Sequence, residues 1–375
     1  MTEQKPSICF VSPTAYSIVS HDPTVEIVGG AELQQVIIAR ELVRRGYAVS
    51  MICSDHGQAD ALKFDDIIVY KCFRLEAGIP VIRAITPRMT GMWSALQRAN
   101  ADIYFQRTAV RNTGIVAAFA KKYGKHSVHS AANDPDFAPG LPKIRFFVDK
   151  WIFSFGVRNV DKIVVQNEYQ QALCLKQFGR ESTIISNCLP SPRQRHADTD
   201  GYVLWVATFK REKRPELLLQ LAQHNPSIRF RMIGGPVLYG KPFYDEIERK
   251  AVKINNVDFV GFVPYAEVDR HFDGARLFVN TSDYEGFPNT FLQAWSRQVP
   301  TVSFINLNAT HQDKPVGRSV ANLTEMSEIV CKLMRDDELW LDEGARCQAY
   351  FDRHHAVGPV VDQYELLFRS LLSGH

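Results

Sequence analysis

The sequence predicts an α/β protein with two doubly wound parallel sheets, and three observations lead to this class. Short apolar runs typical of buried strands alternate with amphipathic stretches typical of helices. A polar segment without periodicity, residues 189–201, interrupts this alternation. The length of 375 residues suggests two or three domains. We expect an N-terminal domain over 1–190, rejoined by a helix over 358–375, and a C-terminal domain over 200–357.

The N-terminal half begins with the apolar run 7–12, which predicts a buried strand. A loop follows, and a helix is expected to start near Ala31 and to end at Gly46, a typical C-cap. The remaining strands are predicted at 47–53, 67–73, 102–106, 126–130, 162–166 and 182–186, and helices at 90–100, 111–123, 144–157 and 168–178.

The C-terminal half repeats the alternation after the polar segment. Its pattern places ligands at the carboxyl ends of the strands, as in other open parallel sheets. Strands are predicted at 202–207, 228–233, 257–262, 276–281 and 300–304, and helices at 215–224, 242–254, 266–273, 289–297, 323–335, 338–352 and 358–372.

Composition excludes several classes of protein. Hydrophobic residues make up 45 % and charged residues 23 % of the chain, which is typical of globular domains and not of disordered or coiled-coil chains. The net charge of +3 is too small to indicate a nucleic-acid partner. Seven scattered cysteines without a C-x-x-C spacing are typical of reduced thiols. With no signal-peptide pattern and no membrane-length apolar run, we expect a cytoplasmic protein.

Two of the four chemically informative stretches combine a strand end with a helix start. Gly29 and Gly30 precede the first long helix, where the backbone can approach an anion closely. Lys210 and Lys213 lie in a basic loop that ends at Pro215, the expected start of another helix. Cations beside a helix N-terminus suit a diphosphate, although a solvated run of charges is an equally good interpretation.

The other two stretches also follow strands. Gly234 comes directly after the run 228–233, where a tight turn is the simpler interpretation. Glu285 begins a loop that leads into a helix, and the amides of its first turn are expected to be free to bind a phosphate. That first turn comprises Asn289, Thr290 and Phe291, and Gln293 lies eight positions after Glu285.

In this order, the four stretches resemble family-four retaining glycosyltransferases of the GT-B fold, in which two Rossmann-like domains face a central cleft. The resemblance covers nearly the whole chain. It includes GGAE at 29–32, the loop ending in Lys213, the IGG turn at 233–235, VDFVGFVP at 257–264 and the S-x-x-EGFPN run from Ser282. It implies that the C-terminal half binds most of a nucleotide-sugar donor and that the N-terminal half holds the acceptor.

The resemblance also implies roles for individual residues. Glu285 is expected to contact the donor sugar near the phosphate, and Lys213 to neutralise the diphosphate leaving group. On the acceptor side it points to His129 and Asn133. Further donor contacts are expected at Gly30, Thr208, Lys210, Gly234, Phe262, Asn289, Thr290, Phe291 and Gln293.

The sequence departs from the family pattern at three positions. Gln293 stands where the family has a second glutamate, which holds the ribose hydroxyls; an amide keeps one acceptor and offers a donor, so a weaker contact is expected. Thr208 replaces a loop arginine, whose charge Lys210 or its neighbour can supply. Ala132 replaces a histidine, and the nearest one is His129, three residues earlier.

No metal and no cofactor are expected. Asp134 and Asp136 form a D-x-D spacing, but a chain of this composition contains such spacings by chance. His126 and His129 lack the third ligand that a metal site requires. The basic loop that ends at Lys213 supplies the positive charge that a metal would otherwise bring to a diphosphate.

The resemblance implies a retaining, metal-independent glycosyltransferase that moves a sugar from a nucleotide donor to a hydroxyl of a glycan or lipid-linked acceptor. Cell-surface polysaccharide or glycoconjugate synthesis is the expected setting. Two alternatives stay open: a catalytically weakened nucleotide-binding scaffold, which the three departures favour, and a sugar-phosphate enzyme of similar architecture, such as an epimerase or a phosphorylase.

The segment 140–159 mixes basic and aromatic residues. A helix that faces the core and has a wet basic edge is the favoured interpretation. Peripheral docking on anionic lipid at the inner face of the membrane is the alternative.

Overall fold

The computed structural model describes residues 5–22, 29–78, 86–192, 201–237 and 240–373. The chain divides into two compact units. Unit 1 comprises residues 1–188 and 357–375, and unit 2 comprises residues 189–356. Each unit contains one large, mainly parallel sheet with helices between its strands, which confirms the predicted fold class. Most of the predicted linker, residues 193–200, lies outside the described residues.

Unit 1 is built on an eight-stranded sheet in the order β3-β4-β2-β1-β5-β6-β7-β8. All neighbours are parallel except β3 and β4. The central strand β1 is completely buried, as its apolar sequence predicts. The strands are β1 (Ile8–Val11), β2 (Val49–Cys53), β3 (Leu62–Phe64), β4 (Ile67–Lys71), β5 (Ile103–Arg107), β6 (His126–Ser130), β7 (Lys162–Val165) and β8 (Thr183–Ile184).

The helices of unit 1 connect these strands. Helix α2 starts at Gly30, one residue before the predicted start, and buries one apolar face that includes Val36 and Leu42. Gly46 follows its end with φ +85°, as a left-handed cap requires. The helices are α1 (Tyr16–Ser20), α2 (Gly30–Arg44), α3 (Arg88–Ala99), α4 (Asn112–Tyr123), α5 (Phe147–Asn159) and α6 (Glu168–Phe178).

Unit 2 is built on a six-stranded parallel sheet in the order β11-β10-β9-β12-β13-β16. Strands β14 and β15 form a separate antiparallel pair. The strands are β9 (Tyr202–Val206), β10 (Phe230–Ile233), β11 (Val257–Gly261), β12 (Ala275–Asn280), β13 (Thr301–Ser303), β14 (Thr310–His311), β15 (Lys314–Pro315) and β16 (Arg318–Ser319).

The helices of unit 2 are α7 (Pro215–His224), α8 (Lys241–Ala251), α9 (Tyr265–Asp273), α10 (Asn289–Trp295), α11 (Leu323–Arg335) and α12 (Asp337–His354). The last helix, α13 (Val357–Leu372), belongs to unit 1 and packs on α2. Arg45, at the end of α2, fixes this contact through ion pairs to Asp362 at 2.6 Å and Glu365 at 2.5 Å.

Several predicted boundaries are wrong, and the errors concentrate in short or exposed elements. The predicted strand 182–186 contains only the two-residue β8. The edge strand β3 was missed because its three residues are at most half-buried and carry little apolar signal. Helix α1 and the short strands β14, β15 and β16 were also missed.

The interpretation of residues 140–159 as a core-facing helix is wrong for the first turns of α5. Phe147 is 81 % exposed and Trp151 is 65 % exposed. At the other end of the helix, Gly156 packs on α4: a Cβ there would come within 2.5 Å of the Gly114 nitrogen. Small residues at this crossing bring α4 and α5 together, and the aromatic end of α5 stays in solvent.

Among the described helices, none is both long and apolar enough to cross a bilayer. All seven cysteines are free, and five of them are buried. Burial raises the pKa of the Cys9 thiol to about 12, as expected for an unreactive core thiol.

Candidate active site

The loops that follow β9 and β12 meet at one edge of the unit 2 sheet. The two strands are neighbours and parallel, so their carboxyl ends lie side by side. The backbone N–H of Asp283 donates to the Glu212 carbonyl at 2.9 Å, and the Thr281 hydroxyl donates to the Lys213 carbonyl at 2.7 Å. These bonds lock the two loops to each other.

Lys213 and Glu285, the two residues predicted to be catalytic, are in direct contact. The Lys213 Nζ lies 2.5 Å from Glu285 Oε1. The same oxygen accepts the Ser282 hydroxyl at 2.8 Å and the Asn280 amide at 3.3 Å. Both charged side chains are less than one fifth exposed. The loops therefore hold an ammonium and a carboxylate side by side in a partly desolvated position, where electrostatic interactions are stronger than in water.

The end of β10 forms the neighbouring part of this sheet edge. Gly234 has φ +152°, and a Cβ there would overlap the Ala207 carbonyl oxygen that follows β9. A Cβ on Gly235 would lie 2.9 Å from the Phe262 ring, which is 55 % exposed. The glycine pair thus permits a close approach of three strand ends and leaves an aromatic face in solvent beside them.

The other predicted donor residues of the β9 loop are at the surface. Thr208 and Lys210 are both exposed, and the Lys210 N–H donates to the Thr208 carbonyl at 2.9 Å. Arg211 stacks on the Phe243 ring at 4.9 Å. Gly30 lies in unit 1, at the first residue of α2.

The first turn of α10 only partly matches the prediction. Asn289 and Thr290 are its first residues and are half-buried, and a phosphate contact by their amides stays a prediction. The prediction of a free amide at Phe291 is wrong, because its N–H donates to the Pro288 carbonyl at 3.1 Å. Its side chain is 2 % exposed and packs against Trp295 in the core.

Gln293 is also buried, with 3 % exposure. Its Nε2 donates to Asp269 Oδ1 at 2.9 Å, and Arg297 Nη2 lies 3.1 Å from Asp269 Oδ2. Asp269, on α9, is half-exposed, so it places a carboxylate beside the amide that replaces the glutamate of the family. Sequence reasoning missed Asp269 because only the packing of α9 on α10 brings it to Gln293. A ribose contact by Gln293 stays a prediction.

The two residues predicted on the acceptor side are His129 and Asn133. His129 is completely buried, and its ring lies edge-on between Phe137 and Phe153, so the predicted acceptor contact is wrong. Burial lowers the pKa of His129 to about 3, which keeps the ring neutral. Asn133 is half-buried after β6, and its N–H donates to Asp136 Oδ2 at 3.2 Å.

The D-x-D pair shapes the loop after β6. Asp136 accepts the backbone N–H of Ala132 at 2.8 Å, and Asp134 accepts the side-chain amide of Gln170 at 2.8 Å. Burial raises the pKa of Asp136, although the backbone N–H groups that it accepts oppose this. Across the described ranges, we find no group of three or more His, Cys, Asp or Glu side chains suited to hold a metal ion.

Part of unit 2 matches a known protein family. Residues 191–311 match the family described as glycosyl transferases group 1. The predicted resemblance is confirmed. This match covers both loops of the Lys213–Glu285 pair, and the family-four, retaining subdivision stays a prediction.

Two relatives match parts of the chain. O-antigen chain mannosyltransferase B of Escherichia coli is 25 % identical over 195 residues, which are 48 % of this chain and 50 % of that protein. Poly(ribitol-phosphate) alpha-N-acetylglucosaminyltransferase of Staphylococcus aureus is 22 % identical over 262 residues, which are 67 % of this chain and 51 % of that protein. The chain thus spans about half the length of these relatives.

Among solved structures, Anabaena HepE in complex with UDP and glucose has a similar fold. The TM-score is 0.74 with 14 % sequence identity, and the match covers 98 % of this chain and 100 % of HepE. This chain has the GT-B fold.

The contact between Gln293 and Asp269 predicts the behaviour of Gln293→Glu. The variant replaces a donor by a second carboxylate in a buried position, so we expect the free energy of unfolding at pH 7 to fall by about 1–3 kcal/mol. The difference in free energy of unfolding between the wild type and the variant becomes smaller as the pH falls, because protonation of one carboxyl group restores a hydrogen-bond donor. Chemical denaturation of the variant and the wild type over a range of pH measures this effect.

The double variant Gln293→Glu, Asp269→Asn is the matched control. It exchanges amide and carboxylate and therefore restores one donor facing one acceptor, so it recovers at least half of the lost stability. A Gln293→Glu variant as stable as the wild type at pH 7 contradicts the buried amide–carboxylate contact and favours a Gln293 side chain that faces a ligand.

Proposed function

We propose that this chain is a retaining glycosyltransferase that moves a sugar from a nucleotide-sugar donor to a hydroxyl of a glycan or lipid-linked acceptor. Cell-surface polysaccharide or glycoconjugate synthesis is its setting, and the two relatives, which by name act on O-antigen and ribitol-phosphate polymers, support this. Unit 2 binds the donor and unit 1 binds the acceptor. The observation that carries the proposal is the contact between Lys213 and Glu285 at the edge of the unit 2 sheet.

In this reaction, the bond between the anomeric carbon and the phosphate oxygen breaks, and a bond from that carbon to the acceptor oxygen forms. Lys213 stabilises the negative charge that develops on the leaving diphosphate, and the surrounding loop is already folded around it. Glu285 accepts hydroxyls of the donor sugar. The departing phosphate oxygen takes the proton of the acceptor hydroxyl, so no protein base is required.

The exposed ring of Phe262, at the same edge of the unit 2 sheet, supports nucleotide binding. Phe262 lies beside the glycine pair Gly234 and Gly235, where a planar base can stack on its ring. Thr208 and Lys210 flank this surface at the start of the β9 loop. These residues can bind the nucleoside, while Lys213 binds the diphosphate.

The first functional test removes the paired charges one at a time. We expect Lys213→Ala and Glu285→Ala each to lower the transfer rate at least a hundredfold, because each removes a charged contact to the transition state worth about 3 kcal/mol. The measurement is sugar transfer from the nucleotide sugar that binds the wild-type chain.

Lys253→Ala is the control, because it removes an exposed ammonium of unit 2 that follows α8 and lies outside this loop, and we expect a change of less than fivefold. Unchanged turnover of well-folded Lys213→Ala or Glu285→Ala proteins contradicts the site. Tight nucleotide binding by the wild type without any turnover favours the catalytically weakened scaffold instead.

The second functional test concerns metal. Because Lys213 provides the charge next to the diphosphate, we propose that transfer needs no divalent cation, and transfer rates should be equal in excess EDTA and in excess Mg²⁺ or Mn²⁺. A rate that vanishes in EDTA and returns with either cation contradicts this proposal.

We propose further that the exposed end of α5 touches an anionic bilayer. Phe146, Phe147, Val148 and Trp151 are 59–81 % exposed and adjacent on the surface of unit 1. Lys143 and Arg145 flank them and are exposed. Tryptophan and phenylalanine beside cations are typical of peripheral contact with anionic lipid, and an acceptor carried by lipid would be reached from such a position.

Vesicle binding tests this contact. Phe147→Ser with Trp151→Ser removes the two most exposed side chains of this group, and we expect at least tenfold weaker sedimentation with phosphatidylglycerol vesicles. The control Leu175→Ser removes another exposed apolar side chain of unit 1, on α6, and should change little. Equal binding of the double variant and the wild type, or no binding by the wild type, contradicts the bilayer contact.

A further inference from the structure

A buried chain of hydrogen bonds connects the core of unit 2 to the backbone of Lys213. The indole Nε1–H of Trp205 donates to the Thr281 hydroxyl at 2.9 Å, and this hydroxyl donates to the Lys213 carbonyl at 2.7 Å. An indole N–H can only donate, so it occupies an acceptor site of the hydroxyl and leaves the hydroxyl proton to the carbonyl. The chemistry of the three groups therefore fixes the direction of both bonds.

The sheet, and not the loop, holds the hydroxyl in place. Trp205 lies in β9 and packs edge-to-face against the Phe209 ring at 5.4 Å, and Thr281 directly follows the last residue of β12. The two strands are parallel neighbours, and both side chains are buried. The position of the hydroxyl is thus set by two paired strands and is independent of the loop that it contacts.

The loop after Lys213 has an unfavourable backbone conformation. Arg214 has φ +47° and ψ +54°, in the left-handed region that residues with a Cβ rarely adopt, and residues before a proline such as Pro215 are usually extended. Such a conformation persists only where neighbouring groups hold it. The Thr281 hydroxyl binds the carbonyl between Lys213 and Arg214, and Asp283 forms an ion pair with the Arg214 guanidinium at 3.0 Å.

Lys213 is bonded through its backbone as well as its side chain. Its N–H donates to the Lys210 carbonyl at 3.0 Å, and its carbonyl accepts the Thr281 hydroxyl. Its Nζ lies 2.5 Å from Glu285 Oε1. A phosphate that binds the ammonium competes with this carboxylate, whereas the two backbone bonds do not involve the ammonium. The backbone bonds can therefore keep Lys213 in place while its side chain changes partner.

We propose that Thr281, oriented by Trp205, is a positioning residue that directs the Lys213 ammonium toward the diphosphate of the donor. Thr281 acts through the Lys213 carbonyl and needs no contact with substrate, since its side chain is completely buried. The inference rests on the proposed function, in which Lys213 binds this diphosphate.

Calorimetry on the whole chain tests this role, with whichever of UDP, GDP and ADP binds the wild type most tightly and with its parent nucleoside. Thr281→Val replaces the hydroxyl by a methyl group, which stays about 3.3–3.6 Å from a carbonyl oxygen and so displaces Lys213. We expect at least fivefold weaker binding of the diphosphate and less than twofold change for the nucleoside. Thr281→Ser keeps both hydrogen bonds and should bind both probes as the wild type does.

A double-mutant cycle separates positioning from a general loss of structure. If Thr281 acts through Lys213, its effect disappears when the ammonium is absent, so adding Thr281→Val to Lys213→Ala should change diphosphate affinity less than twofold.

Thr301→Val is the matched control. Thr301, at the start of β13, is buried in the same unit, and its hydroxyl accepts the indole N–H of Trp295 at 3.1 Å. The variant therefore removes the same kind of bond outside the two loops, and it should leave diphosphate affinity unchanged. If Thr281→Val does not fold, Thr281→Ala decides the outcome, because it removes the hydroxyl without placing a methyl group against the Lys213 carbonyl; we expect at least threefold weaker diphosphate binding.

Three results overturn the proposal while Lys213→Ala still weakens diphosphate binding. They are a valine or alanine variant at Thr281 that binds the diphosphate as the wild type does, a serine variant as weak as the valine variant, or an equal loss of affinity with and without the Lys213 ammonium. Failure of the proposed function is distinguishable, since the wild type then binds no nucleoside diphosphate or Lys213→Ala binds it unchanged, and the positioning role fails with it.

Discussion

The ion pair between Lys213 and Glu285 depends on one constraint, the parallel pairing of β9 with β12. The two residues are 72 positions apart, and only the shared sheet edge brings their side chains to 2.5 Å. The bonds from Asp283 to Glu212 and from Thr281 to Lys213 then fix the loops at this edge. Because this geometry is formed by backbone and buried groups, the charges are positioned before a ligand arrives, which is the arrangement that stabilises a leaving diphosphate most effectively.

Each unit presents positive charge at the carboxyl edge of its sheet, but in a different form. In unit 2, Lys213 is paired with Glu285, so a ligand must compete with or share that carboxylate. In unit 1, the buried Arg107 donates to Asn187 Oδ1 at 2.6 Å, and the Asp136 and Glu32 carboxylates favour its charged form.

The sequence predicts the features that depend on local patterns of residues. Strand runs, glycine turns and the loop around Glu285 predicted the fold class and brought Lys213 and Glu285 forward as the central residues. Tertiary packing decided the rest. His129 follows a strand pattern but is enclosed by Phe137 and Phe153, and the amide of Phe291 closes the first turn of its helix.

Tertiary packing also explains which residues the sequence did not reveal. Asp269 becomes part of the site only because α9 packs on α10. The close approach of α5 to α4 at Gly156 and Gly114 is likewise a tertiary contact, which periodicity does not reveal.

Lys213 is proposed to bind the diphosphate of a nucleotide, and calorimetry with a nucleoside diphosphate and with its parent nucleoside isolates this contact. For Lys213→Ala, the account predicts at least tenfold weaker binding of the diphosphate, as the loss of a charge-assisted contact of about 1.5–3 kcal/mol requires, and less than twofold change for the nucleoside. Equal affinity of the variant and the wild type for the diphosphate contradicts the account.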